Sequence, residues 1–496
     1  MKKPNVLIFF VDQQRGDTIY PYERAITPNV TDFCKQGLSF SQCHTIAPHC
    51  APSRASIFSG LYPTEHGVWN NVNVGNRLTK GLYDGIKLFS EDFKEAGYRM
   101  YYHGKWHVSS EDGATDRGFD FSLENREYKR SNTNPPADTK EWRIQHSEYI
   151  KPHERQIGEI VRNGYPKHIA YGIKDEHNDD IVMASAMEVL CDRNAFDKKI
   201  GINSCVDGEE RPWFQVVSTG APHDAYFTPK RFYDLYKDVE INLPKNFYDD
   251  MKDKPNLHRR LKEMVYNQLS EEEHKDCIRH YLATCSYEDD LFGKILAQLE
   301  KNGEADNTIV LYIADHGDYM AEHGIWAKGL PCYEGAYHIP MAFRWPKGIV
   351  KPNRIIDDFT TLLDVAPTLL EACDIKVDRE FSGNSLVDYM KDKEPVKKQE
   401  VLFTQSNGNE LYGIQRSVKT KDWKYIYNGF DFDELYDLKN DPDELHNVFD
   451  KYKNTQVVHD LCKTMWQFAK DKGDTCVNSY IMVGLSPYGP SIVNEE

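Results

Sequence analysis

Three apolar runs stand out along the chain, and each stops at a cluster of polar residues. They are Asn5 to Val11 (Asn-Val-Leu-Ile-Phe-Phe-Val), Pro212 to Ser218 and Asn307 to Ala314. Runs of this length without alternation read as strands buried on both faces, the pattern of a parallel sheet. The first leads into Asp12-Gln13-Gln14-Arg15, the second into Thr219-Gly220-Ala221-Pro222-His223, and the third into Asp315-His316-Gly317-Asp318. Ligands of open α/β sheets sit beyond the carboxyl ends of the strands. Three such ends on one sheet edge can build a metal site from residues distant in sequence. A further strand from Arg99 runs into the polar turn His103-Gly104-Lys105-Trp106-His107.

Helical spacing fills much of the rest. Val30, Phe33 and Cys34 share one face after Thr27-Pro28-Asn29, and Ser90 to Gly97 reads as a helix with Ser90 as N-cap. Asp179-Asp180 caps a helix carrying Ile181, Ala184, Met187 and Leu190. Leu291, Ile295, Leu296 and Leu299 mark a long amphipathic helix from Tyr281 to Lys301. From about Ser122 to Arg211 the chain is polar and aromatic, with Arg126, Lys129, Arg130, Arg143, His146, His153, Arg155 and His168. Much of it reads as solvated loop, of the kind that shapes substrate subsites in enzymes. A lysine-rich stretch near Lys391 to Gln399 reads as a linker. Beyond it, Val401–Thr404, Tyr412–Val418 and Trp423–Tyr427 read as short antiparallel strands, with a helix near Val457 to Lys472 packed on them. The chain thus divides into two units, 1–395 and 396–496.

Composition narrows the partners. A net charge of −17 over 496 residues argues against nucleic acid, which would want a basic face. It leaves room for a small anionic substrate, because a metal and a few cations can dominate one pocket. No apolar run reaches the length of a membrane span, and Val6 to Val11 lacks the length and cleavage site of a secretory signal. A cytoplasmic protein is expected, or a periplasmic one had a leader been removed. The eleven cysteines are scattered without a Cys-x-x-Cys, which favours reduced thiols.

Candidate chemistry centres on Cys50-Ala51-Pro52-Ser53-Arg54-Ala55-Ser56-Ile57-Phe58-Ser59-Gly60. Pro52 suits a first helical turn and Gly60 a helix end. Cys50 then faces free N–H groups and the positive end of the dipole, an anion site to which Arg54 adds a fixed charge. Three readings compete: an ordinary buried thiol, a thiolate nucleophile, and a cysteine-phosphatase loop. In that loop the arginine comes six positions after the cysteine, whereas here it comes four after.

The stretch resembles more closely the signature of the type I sulfatases, Cys-x-Pro-Ser-Arg with a later small residue and Gly, here Ser59-Gly60 where Thr-Gly is usual. Other landmarks come in that family's order: Asp12-Gln13, Gly104-Lys105-Trp106-His107, Gly118-Phe119-Asp120, Pro222-His223, Asp315-His316, Lys328, and Leu435-Tyr436-Asp437-Leu438. The resemblance implies an alkaline-phosphatase-like α/β sandwich, a mixed sheet between helices, with a smaller C-terminal antiparallel α+β domain. It implies a sulfuric ester hydrolase whose Cys50 is oxidised to formylglycine by a maturation enzyme. It also implies one divalent ion at Asp12, Gln13, Asp315, His316 and residue 50. Calcium is favoured by the oxygen donors; manganese or magnesium is left open by Gln13 and His316. Lys105, His223 and Lys328 are implied to bind sulfate, His107 to touch the formylglycine, and Arg54 to position it. His66 lines the pocket or makes a structural hydrogen bond. The expected substrate is a sulfated sugar, with choline sulfate or an aryl sulfate as alternatives. A phosphonate monoester or phosphodiester hydrolase is the rival enzyme, since some carry Asp-Gln and Asp-His at the metal. A non-catalytic sugar-binding relative is the rival of another class.

Overall fold

The computed structural model describes residues 3–124, 154–161, 168–409 and 411–495. Eight strands form the central sheet: β1 (Asn5–Val11), β2 (Leu38–Phe40), β3 (Arg99–Gly104), β4 (Phe121–Glu124), β5 (Trp213–Ser218), β6 (Thr308–Ala314), β7 (Met341–Arg344) and β8 (Arg354–Ile356). Their order is β8-β2-β7-β6-β1-β5-β3-β4, and only β7 runs against the rest. The three apolar runs are thus adjacent central strands, buried at every position as an unalternating pattern requires.

Register decides what this sheet can do. Val11 pairs with Ala314, Phe10 with Ser218, and Ser218 with Gly104. Four strands therefore end almost level, and the residues after them leave the sheet on one edge. Successive side chains of β1 point to opposite faces. Phe9 packs on Phe292 of one layer with ring centroids 5.1 Å apart, while Phe10 lies under Arg54 of the other at 4.5 Å. The first layer holds α1 (Pro28–Lys35) and the second α2 (Cys50–Ser59).

The long helix α3 of the first layer spans Glu271–Lys301 and so starts ten residues before the expected Tyr281. Its true start is a capping box, in which Ser270 accepts from the Glu273 N–H and Glu273 accepts from the Ser270 N–H. The helix expected to be capped by Ser90 begins instead at Phe89, with Glu91 closing on the Leu88 N–H.

A four-stranded antiparallel sheet forms the second unit: β9 (Leu402–Gly408), β10 (Tyr412–Lys419), β11 (Trp423–Asn428) and β12 (Glu434–Asp437). Helix α4 (Gln456–Asp471) packs on it through Val458, Met465 and Trp466. Of the polar insertion, Arg126, Lys129, Arg130, Arg143, His146 and His153 lie outside the described residues. Arg155 is spent on an ion pair with Glu273 at 2.7 Å. Among the described residues no helix is long and apolar enough to cross a membrane, and all eleven cysteines are free.

Gly104 is the point at which β3 leaves the sheet. It sits at φ +96°, and a Cβ there would meet the Ser218 carbonyl oxygen at 1.8 Å. Gly104→Ala is expected to lower stability by more than ~1 kcal/mol, read as a fall in the urea midpoint at unchanged slope.

Candidate active site

The level strand ends bring Asp12, Lys105, Thr219 and Asp315 to one edge, and α2 points its first residue at them. The helix starts where Pro52 can occupy its first turn and stops at Gly60, which is left-handed at φ 71°. His49 supplies no side-chain cap; Asn71 Oδ1 accepts the Ala51 N–H instead, at 3.1 Å. Cys50 is buried at the positive helix end, its Sγ 3.2 Å from His316 Nε2 and 3.7 Å from Asp12 Oδ1.

Arg54, one turn on, is fully buried and spends its whole fork. Nε donates to Asp315 Oδ2 at 2.8 Å, Nη2 to Asp12 Oδ2 at 3.2 Å, and Nη1 to the Lys105 carbonyl at 2.6 Å and to Ser218 Oγ at 2.8 Å. Lys105 Nζ also pairs closely with Asp12. Burial and the Cys50 thiol press the Asp12 carboxyl upward, but Lys105, His223 and Arg54 outweigh them and hold it below its ordinary value. Burial likewise opposes ionisation of Cys50. Lys105 and Lys328, and His316 when it is protonated, with His107 alongside, still pull its thiol well below the usual range.

Asp12, Cys50, Asp315 and His316 each offer one ligand atom, all within 4.8 Å of one another. The chemistry of this set fits a divalent cation. His316 donates its Nδ1–H to the Gly317 carbonyl at 2.9 Å, which leaves the Nε2 lone pair toward the carboxylates. Two carboxylates and an imidazole are hard and borderline donors. Gln13 stands beside this set and not within it. Its Oε1 accepts from Lys328 Nζ, and its Nε2 donates to Asp318 Oδ2 at 2.6 Å and Asp224 Oδ1 at 3.2 Å.

A cavity of about 510 Å³ opens over Cys50. Lys105, His107, His223 and Lys328 line it. Lys328 Nζ lies 2.6 Å from His223 Nε2, and His223 Nδ1 donates to the Asp224 carbonyl at 2.6 Å. Burial and Lys328 work against a charge on His223; Asp224, Cys50 and Asp12 lift it above the ordinary histidine value all the same.

His66 is the correction. It does not line this cavity; it is fully buried behind α2, where Nε2 lies 2.8 Å from Ser56 Oγ and Nδ1 accepts the Val68 N–H at 3.1 Å. Burial pushes it down to about 3, so it is a neutral structural tie. Sequence reasoning missed Asn71, Asn73, Asp224, Leu257, Leu261 and Asn409, all on the cavity wall. Only Asp224 carried a signal, as the neighbour of His223. The amides come from loops without a motif, and Asn409 comes from the other sheet.

The sulfatase family model matches residues 4–375, three quarters of the chain. The chain belongs to the sulfatase family. This sulfatase is a sulfuric ester hydrolase, and a second model, the C-terminal region of N-sulphoglucosamine sulphohydrolase, matches residues 321–471. A choline-sulfatase of Rhizobium meliloti is 28% identical over 457 residues, covering 90% of this chain and 82% of that one. One solved structure, in complex with its substrate D-glucosamine-2-N,6-O-disulfate, is 22% identical with a TM-score of 0.70, covering 96% of this chain and 99% of that one. The phosphonate monoester hydrolase of Agrobacterium radiobacter is 20% identical with a TM-score of 0.73, covering 95% and 96%. At those identities the two structures speak to the shared fold.

Arg54 gives a test of this geometry. Arg54→Met leaves two buried carboxylates without their shared partner and is expected to cost about 3–5 kcal/mol, read by urea unfolding. Arg54→Lys should recover little of it, because an ammonium cannot span both carboxylates and two further acceptors.

Proposed function

We propose that this sulfatase releases sulfate from a sulfated mono- or oligosaccharide, with residue 50 acting as formylglycine beside one divalent ion. One observation carries the reading. The cavity sets the cations Lys105 and Lys328 against the amides of Asn71, Asn73 and Asn409. Cations suit a sulfate, and amides suit the hydroxyls of a sugar. The doubly sulfated glucosamine bound by the solved relative is a compound of this class.

Asp12, Asp315 and His316 would hold the ion beside residue 50. Calcium suits the oxygen donors, and His316 also admits manganese or magnesium. A divalent ion held there would supply Lewis-acid polarisation of a sulfate oxygen, and a formylglycine hydrate at residue 50 would supply the attacking oxygen. Lys105 and Lys328 neutralise sulfate oxygens as charge moves onto them. Arg54 holds the two carboxylates and, through its own helix, residue 50. His223, on the cavity wall, is the candidate to protonate the departing alcohol, and His107 the candidate to take a proton at position 50. A formylglycine-generating maturation enzyme is the implied protein partner.

Hydrolysis of a phosphonate monoester is the second reading, favoured by His316 within the metal set and Gln13 beside it. The co-expressed, matured enzyme tested on a panel of sulfated mono- and disaccharides, an aryl sulfate and an aryl phosphonate separates the two. Free sulfate from the sugars is expected; turnover of the phosphonate alone would overturn the proposal. Lys105→Ala and Lys328→Ala should each lower kcat/KM for the sulfate ester by about 10²–10³-fold. Dialysis against a chelator should lower the melting temperature, and added calcium should restore it.

A further inference from the structure

From Thr219 to His223, in the turn that carries the His223 ring, every backbone N–H has a partner, and two of them go to a single side chain. The Thr219 N–H donates to the Phe10 carbonyl at 3.0 Å, which keeps the turn on the sheet edge. The His223 N–H donates to the Gly220 carbonyl at 3.2 Å, and Pro222 has none to give. The Gly220 and Ala221 N–H groups donate to the two oxygens of Asp179, at 2.8 and 2.9 Å. A carboxylate from a distant element thus fixes the middle of the turn.

Asp179 stands in the helix Asn178–Cys191, where the sequence pairs it with Asp180 as a cap. The structure divides that pair. Asp180 Oδ2 accepts the His177 N–H at 3.3 Å and so closes the helix start, while its Oδ1 accepts the Tyr287 hydroxyl of α3 at 2.9 Å. Asp179 is buried, and both its oxygens go to the turn; the His177 ring lies 3.2 Å from Oδ2. At the other end of the helix the Asn302 amide donates to the Leu190 carbonyl at 2.8 Å. The helix is therefore fastened at both ends, a rigid support for whatever it holds. Glu288 of α3 packs beside Asp179. Burial, and Asp179 after it, push the Glu288 carboxyl well above the usual carboxylate range, so it adds no second charge. A buried carboxylate is costly unless its oxygens are satisfied, and here the N–H groups of the turn satisfy them.

We propose that Asp179 is a positioning residue: its two oxygens fix the Gly220–Ala221 backbone and so hold the His223 ring in the cavity that opens over residue 50. The proposal rests on the place given to His223 in the reaction above. The link is short. Gly220 is gripped by Asp179 at its N–H and by His223 at its carbonyl, so releasing the N–H lets the turn shift with the ring it carries. A displacement of about 1 Å at a reacting group can cost ~10²-fold in rate.

The test reads the turn and the reaction separately, in full-length protein. Asp179→Ala offers the turn no acceptor. Asp179→Asn keeps the size of the side chain, offers one acceptor to two N–H groups, and serves should the alanine variant not fold. Hydrogen exchange followed by mass spectrometry, on the unconverted Cys50 form, should show the peptide spanning residues 219–223 exchanging about tenfold faster or more in either variant. In the matured enzyme, on whichever ester wild type turns over fastest, sulfate or phosphonate, Asp179→Asn should lower kcat/KM by about tenfold or more. In a His223→Ala background the same substitution should change kcat/KM by less than about twofold. Exchange left at the wild-type rate would overturn the proposal, as would an unchanged kcat/KM in a variant whose turn exchanges faster. An equal loss with and without the His223 ring would make Asp179 a structural residue only and overturn it too. A fully active His223→Ala would remove the role of His223 itself, and this proposal with it. Because the cycle runs on either ester, its outcome is separate from the choice between sulfate and phosphonate.

Discussion

One buried guanidinium ties together the ends of four adjacent strands. Arg54 reaches Asp12 after β1, Asp315 after β6, the Lys105 carbonyl after β3 and Ser218 at the end of β5. No apolar side chain could do this, although apolar replacements of buried ion pairs are often as stable. The arrangement is therefore better explained by what it holds than by what it adds to stability. It holds the two carboxylates in place from the protein side, and it anchors the helix whose first residue is Cys50. The planar fork matters, because each of its nitrogens has a different strand to satisfy.

The same residue balances the charge of the site. Two carboxylates and an ionisable thiol converge where water is excluded, and such a set is costly unless cations answer it. Arg54 and Lys105 answer from the protein side. Lys328 faces the cavity from the far wall, where its neighbours are His223, Gln13 and Asp224. A divalent ion fits the remaining demand of Asp12, Asp315 and His316, and a sulfate fits the demand of the lysines. A protein of net charge −17 can thus hold an anion, because the local field of a walled pocket is set by the groups within a few ångströms.

The legibility of each site residue in the sequence depends on where it sits. Asp12, Asp315, His316 and His223 all stand shortly after unalternating apolar runs, so the pattern that identifies buried parallel strands also identifies the edge they share. Cys50 and Arg54 were legible because Pro52 and Gly60 bracket a helix. Asn71, Asn73 and Asn409 were not, because a loop amide carries no periodicity and its role depends on what folds opposite it. His66 stayed open between pocket and structural tie for a related reason. It lies just past the end of α2, and the turn that ends the helix carries it to the helix's buried back. The start of α3 was missed although Ser270 and Glu273 spell its capping box, because the apolar spacing strengthens only later.

The C-terminal sheet belongs to the site for a reason that is also geometric. The Asn71 N–H donates to Asn409 Oδ1 at 2.9 Å, and Asn71 Oδ1 accepts from the Ala51 N–H at the start of α2. Two hydrogen bonds therefore connect the turn between β9 and β10 to the residue next to Cys50. A displacement of that turn would free the Asn71 N–H and unbrace the side chain that caps the helix end, where unsatisfied backbone donors are costly and the helix dipole is strongest. The small sheet thus closes the cavity wall and braces the cap of the Cys50 helix by the same contact. A catalytic sheet alone would present residue 50 on a helix end whose Asn71 cap has lost its brace.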